Sequence, residues 1–210
     1  PISMSYGSGP VTKLDYARYL AACLAYLSRR QRDRVGLYTF DSEVVAHVRP
    51  SVRHMDQILH QLERAEPGRP GALRPSLYTI ASTFRRRGIV ALVSDFYETP
   101  DRILEAIRPL AGMKHDIMVF HVLDPAELEF PFQAPATFED LETGEQFPVV
   151  PEKLRDAYRD VMREHVAAVE RRLVGQGVDY TLVDTSKPLD LALFRYLLAR
   201  QKARVAKGEN

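Results

Sequence analysis

The feature that most constrains this chain is a pair of short runs that are apolar on both sides, Ile89-Val90-Ala91-Leu92-Val93 and Ile117 to Leu123. A half-buried strand alternates apolar and polar residues, whereas a continuous apolar run of this length fits a parallel strand covered by helices on both faces. Asp95 follows the first run after Ser94, and Asp124 follows the second directly. A third strand, Tyr180 to Val183, stops at Asp184. Helical patterns separate them. Thr12 and Asp15 form a capping box that opens a helix to about Arg30, and further helices are expected at 53–64 (Met55, Ile58, Leu59 and Leu62 inward), 73–87, 101–110, 153–173 and 189–201. Val35 to Phe40 and Val44 to Val48 flank the turn Asp41-Ser42-Glu43, so they are expected to pair as an antiparallel hairpin. Strand–helix alternation of this kind predicts an α/β fold, a mostly parallel sheet with helices on both faces, in one domain over residues 1–210.

An insertion at 126–151 breaks the alternation. Phe130, Phe132, Phe138 and Phe147 lie among prolines around a turn at Glu142-Thr143-Gly144-Glu145, which predicts a β-hairpin folded against the domain. The basic tail to Asn210 is expected to fray.

Composition excludes several function classes. Lys+Arg is 29 against Asp+Glu 28, a net charge of +1, which argues against a dedicated nucleic-acid or polybasic membrane binder. The single cysteine, Cys23, excludes an intrachain disulfide and a cysteine-based zinc site and suits the cytoplasm. No stretch reaches 18 uninterrupted apolar residues, so no membrane span is expected. Residues 1–10 have no signal-peptide pattern; the first is not Met, so the chain is expected to begin inside a longer one.

In an open α/β sheet, ligands sit outside the carboxyl ends of the strands. Asp95, Asp124 and Asp184 fall on that rim, and so do Ser3, Ser5 and the Gly7-Ser8-Gly9 loop, which precede the first helix. A carboxylate with hydroxyls there suits a hard cation such as Mg²⁺. The plainer alternative is that Asp95 caps the next helix while Asp124 and Asp184 stop their strands. Gly7-Ser8-Gly9 with Lys13 nearby resembles a phosphate cradle, but it lacks a Gly-Lys-Ser/Thr sequence and Pro10 removes an amide, so a plain turn is the better reading. His47, His54, His60, His115, His121 and His165 show no ligand spacing, and Arg85-Arg86-Arg87 reads as a basic helix end.

Ser3-Met4-Ser5-Tyr6-Gly7-Ser8-Gly9, Lys13-Leu14-Asp15-Tyr16-Ala17, Val93-Ser94-Asp95-Phe96, the run Phe120 to Leu128 and the run Phe138 to Glu145 together resemble the domain of unknown function 58 family, a von Willebrand factor A-like group. The resemblance implies a three-layer A-domain-like fold. It also implies an adaptor role beside a MoxR-type AAA+ ATPase and other A-domain proteins rather than an enzyme. A-domain proteins bind Mg²⁺ through an Asp-x-Ser-x-Ser loop, a distant Thr and a second Asp. Ser3 matches the second Ser and Asp95 the later Asp, while Pro1 and Gly71 stand where hydroxyl ligands belong. The resemblance therefore implies a degenerate metal site at Ser3 and Asp95, with Mg²⁺ not expected. Ser5, Phe132 and Phe147 are the candidate partner-binding residues. The family's first, central strand would lie upstream of Pro1, leaving the strands at Val35 and Ile89 without the neighbour that separates them. The rival reading is a phosphate-ester or nucleotide-handling enzyme using Ser3, the Gly7 to Gly9 loop and Asp95.

Overall fold

Thr12 starts the first helix as its spacing to Asp15 predicts. In the computed structural model, which describes residues 2–69, 71–140 and 144–206, the Thr12 side chain accepts from the Asp15 amide, Asp15 reaches back to the Thr12 amide, and α1 spans Lys13–Arg30. There follow β1 (Val35–Phe40), β2 (Val44–Ser51), α2 (Met55–Glu63), α3 (Leu73–Thr83), β3 (Ile89–Ser94), α4 (Pro100–Gly112) and β4 (Asp116–Leu123). The chain then forms α5 (Pro125–Glu129), β5 (Ala136–Glu139), β6 (Gln146–Val149), α6 (Pro151–Val174), β7 (Asp179–Asp184) and α7 (Asp190–Ala206).

β3, β4 and β7 form a parallel sheet in that order, with Ile89 beside Asp116 and Val119 beside Tyr180. β4 is central and buried after its first residue, which is why its sequence carries no polar alternation. Its residues divide between two cores. Ile117 and Val119 pack with Leu77, Ile103, Ile107 and Leu173 from α3, α4 and α6. Met118, Phe120 and Val122 pack with Tyr16, Leu20 and Tyr196 from α1 and α7. The molecule is thus a mixed α/β fold with helices on both faces of a parallel sheet, as the alternation predicts.

β1 and β2 pair antiparallel as expected, but they form a separate two-stranded sheet and not the edge of a single larger one. Among the described residues no strand lies between β1 and β3. A cleft of about 620 Å³ separates them, lined by Leu24 and Ala25 of α1, Val35 and Leu37 of β1, and Ile89 and Ala91 of β3. Each strand has a hydrogen-bonded neighbour on one side alone. The cleft explains why Ala91, in a strand expected to be buried on both faces, is exposed.

Three local expectations need correction. α3 ends at Thr83 because Phe84 turns to extended backbone and its ring packs against Tyr38 and His115. Arg85 to Arg87 therefore lie in a connection, where Arg87 pairs with Asp116 at 2.9 Å, and do not end a helix. Leu59 faces outward, since α2 buries the narrower stripe Met55, Ile58 and Leu62. α7 continues to Ala206 instead of stopping near 201. The insertion holds the expected hairpin, with Phe138 opposite Phe147, preceded by α5, which ends with Phe130 in the left-handed conformation (φ 45°). Part of the turn expected at 142–145, and the tail beyond residue 206, lie outside the described residues.

Candidate functional site on the carboxyl rim

Ile2–Ser5 forms a turn of 3-10 helix that brings Ser3 to the carboxyl end of β3. Ser3, Gly71, Ser94 and Asp95 line one pocket of about 200 Å³, together with Tyr97 and Glu98. Of the residues that the sequence places on the rim, Ser3 and Asp95 share this pocket, and Gly71, placed there by the family resemblance, joins them. Ser5 serves its own turn, its hydroxyl donating to the Ile2 carbonyl at 2.7 Å.

Asp95 does not cap a helix. Its Oδ2 lies 3.1 Å from the Lys13 ammonium, whose other carboxylate partner is Glu127 Oε1 at 2.8 Å. Lys13 is fully buried and Asp95 is 1% exposed. The Tyr97 ring centroid lies 4.7 Å from the same nitrogen. Burial, then the Glu127 carboxylate, push the Tyr97 hydroxyl far above its usual range, so it stays protonated. Glu127 Oε2 accepts from the Asp124 amide at 2.9 Å, completing an Asp-x-x-Glu capping box on α5.

Asp124 is fully engaged. Its carboxylate accepts from the Ser8 amide (2.9 Å), the Ser8 hydroxyl (2.6 Å), the Ala126 amide (2.8 Å) and the Thr185 hydroxyl (3.3 Å). Asp184 accepts from the amide and hydroxyl of Ser186. Both are local organisers of the backbone. The Gly7 to Gly9 loop is likewise a turn: the Ser8 amide is spent on Asp124, and a Cβ on Gly7 would come within 2.8 Å of Thr12 Cα. Neither that amide nor the Lys13 ammonium is available to a phosphate.

These residues do not fit Mg²⁺. Asp95 is ion-paired, and Glu98, the other acid lining the pocket, accepts from the Leu73 amide at 2.6 Å. A Cβ on Gly71 would lie 2.4 Å from Ser42 Cβ, so a threonine hydroxyl cannot be restored there without moving the β1–β2 turn. Pro1 is outside the described residues, and among those described no three of His, Cys, Asp and Glu gather into a metal-holding group.

Sequence reasoning missed Lys13 as the partner of Asp95 and Glu127, though a signal existed. Lys13 stands three, four and seven residues before Tyr16, Ala17 and Leu20, on the stripe that α1 buries. Asp124 and Glu127 have capping-box spacing.

His121, on β4, is also fully buried, with Nδ1 2.7 Å from the Tyr180 hydroxyl. Burial, then the neighbouring His165, lower its pKa from 6.5 to about 4. The folded chain thus keeps His121 neutral where the unfolded chain protonates it. This stabilisation is complete above pH 6.5 and is lost as pH falls toward 4, about 3 kcal/mol in all. Urea unfolding at pH 7.5 and pH 5 should show about 2 kcal/mol of this loss in the parent and a smaller one in His121→Asn; equal losses would refute the assignment.

In the insertion, Phe130 is buried and packs against Phe132, Phe138 and Tyr158 of α6. Phe132 is half-buried in that cluster, whereas Phe147 is 49% exposed. Of the candidate partner-binding phenylalanines, Phe147 alone presents an open face.

Comparison with known proteins rests on most of the chain. The pattern of a family described as "Protein of unknown function DUF58" matches residues 2–168. The chain belongs to the DUF58 family. An uncharacterized protein of Mycobacterium tuberculosis is 25% identical over 211 residues, covering 97% of this chain and 66% of the relative. An uncharacterized Mycobacterium avium protein is 27% identical over 164 residues, covering 74% of this chain and 94% of the relative. The DUF58 chain thus spans about two thirds of the longer M. tuberculosis relative. Among solved structures it resembles the conserved hypothetical protein BatB from Bacteroides thetaiotaomicron, with TM-score 0.60, 17% identity, and coverage of 98% of this chain and 94% of that one. It also resembles an aerotolerance-related membrane protein from Bacteroides fragilis, with TM-score 0.56, 18% identity, and coverage of 88% and 87%. These likenesses concern the fold. In the DUF58 chain itself, no helix among the described residues is long and apolar enough to cross a membrane.

Proposed function

We propose that this DUF58 chain is a non-enzymatic protein-binding module, a cytoplasmic adaptor for a MoxR-type AAA+ ATPase. The observation that carries the reading is the state of the rim. Asp95, Asp124 and Asp184 are each bound to a neighbouring group of the chain, which leaves a hydrolytic enzyme no evident base beside a nucleophile. The von Willebrand factor A-like resemblance supports the same reading, since that group works by binding other proteins. Apolar surface is available: Leu191, Phe194, Leu197 and Leu198 of α7 are exposed, as are Phe147, Val150 and Leu154 around the start of α6.

Phe147→Ser is expected to weaken association with the ATPase about tenfold, in keeping with an exposed aromatic anchor, while leaving the melting midpoint within about 1 °C because the side chain is already half in water. Unchanged affinity would remove Phe147 from the binding surface. A drop of several degrees would make it part of the fold. The rival reading, a phosphate-ester-handling enzyme, is favoured only if the purified chain hydrolyses such esters and Asp95→Asn abolishes the activity.

We also propose that the cleft between β1 and β3 is where the strand expected upstream of Pro1 lies. Two sheet edges face it and α1 floors it. Ser3 sits at the carboxyl end of β3, so a preceding extended segment would run parallel to that strand.

A further inference from the structure

The strongest anomaly is a lysine in the wrong place twice over. Lys13 is fully buried, whereas lysine is almost never so unless paired. It is also the first residue of α1, at the end of a helix where the macrodipole disfavours positive charge. Both costs are offset by what surrounds the ammonium: Asp95 Oδ2 at 3.1 Å, Glu127 Oε1 at 2.8 Å and the face of Tyr97 at 4.7 Å. Three separate elements, α1, the carboxyl end of β3, and α5, converge on one nitrogen.

We propose that Lys13 is the resident cation of this rim, an ammonium built into the chain that holds Asp95 and Glu127 together in place of a divalent metal ion. The inference goes beyond the adaptor reading and does not depend on which partner binds. Two carboxylates that share one nitrogen make a charge of −2, and Lys13 returns +1. Removing either partner of a buried ion pair leaves an uncompensated charge, which is strongly destabilising. A metal ion reaching these oxygens in the parent chain must first expel the ammonium and leave it buried without a partner. The same carboxylates without Lys13 would carry the charge that a divalent cation neutralises, at a place where Ser3 and Ser94 also line the pocket. Metal independence of the rim is therefore a property of Lys13 as well as of the missing hydroxyls at Pro1 and Gly71.

Thermal melts of the full chain test this, with about 10 mM Mg²⁺, Ca²⁺ or Mn²⁺ or with a chelator. The parent midpoint is expected to be the same in all four conditions. Lys13→Ala in chelator should melt roughly 10 °C lower, and at least one divalent ion should restore half or more of that loss. If Lys13→Ala does not fold in chelator, it should fold when the ion is added. A triple variant, Lys13→Met with Asp95→Asn and Glu127→Gln, has no charge to balance and should fold without responding to metal. The proposal is overturned if the parent midpoint rises several degrees with a divalent ion. It is equally overturned if no ion rescues Lys13→Ala, or if the triple variant fails to fold, which would make Lys13 necessary for its shape and not its charge.

Discussion

Asp124→Ala is expected to lower the melting midpoint by about 10 °C, the largest loss from any one carboxylate change on the rim outside the Lys13 cluster. The side chain is 1% exposed and accepts from the Ser8 amide and hydroxyl, the Ala126 amide and the Thr185 hydroxyl. It ties three connections together: the turn before α1, the start of α5, and the segment after β7. Alanine leaves the amide of the buried Ala126 without its acceptor and releases the exposed Ser8 loop from its anchor. Hydrogen bonds to a charged group contribute about 1.5–3 kcal/mol each, and the Ala126 bond is itself the α5 cap, so losing the two amide bonds costs about 4 kcal/mol. At this chain length a loss of about 4 kcal/mol corresponds to roughly 10 °C. Asp124→Asn keeps one acceptor oxygen and should retain about half of the stability. Calorimetry would measure both. A midpoint for Asp124→Ala within about 2 °C of the parent would show that the carboxylate is not structural, and would return it to the pool of functional groups.

The second large effect is a gain. A protein that carries, upstream of Pro1, the strand proposed for the cleft is expected to melt about 10 °C above the 210-residue chain. Among the described residues, β1 and β3 each present an unpaired edge to the cleft between them, and Leu24, Val35, Leu37 and Ile89 line it. An inserted strand satisfies both edges and buries apolar side chains worth about 1.5–3 kcal/mol each, against about 1–2 kcal/mol per residue of backbone ordering. Amides of β1 and β3 facing the cleft should become protected from hydrogen exchange at the same time. An unchanged midpoint with unchanged exchange would mean that the cleft is not a strand site, and the account of the sheet would have to be redrawn.

The parallel core was legible because β4 shows no alternation of polar residues, His121 being its one polar side chain after Asp116, and because Pro100 and the Thr12–Asp15 pair mark helix starts through local chemistry. The meeting of Ser3 and Asp95 was legible through the rule that loops at the carboxyl ends of strands share a rim, whereas Gly71 was placed beside them only by the family resemblance. The Lys13 pairing was not, because a lysine at the head of a helix reads as a solvated charge until its partners, 82 and 114 residues away, are placed beside it. The end of α3 was missed for a related reason. Helical patterning continues through Arg87, and only the packing of Phe84 between Tyr38 and His115 turns the chain out. Asp124 was read as a strand stop, yet its Asp-x-x-Glu spacing to Glu127 already spelled a helix cap.

An adaptor of the proposed kind binds a protein and does not turn over a substrate. Sedimentation velocity of the purified chain mixed with the purified MoxR-type ATPase from the same organism tests it most directly. The account predicts a discrete complex, weakened by Phe147→Ser, from a chain that shows no phosphate-ester hydrolysis of its own. Two independently sedimenting species, together with hydrolysis that disappears in Asp95→Asn, would contradict it.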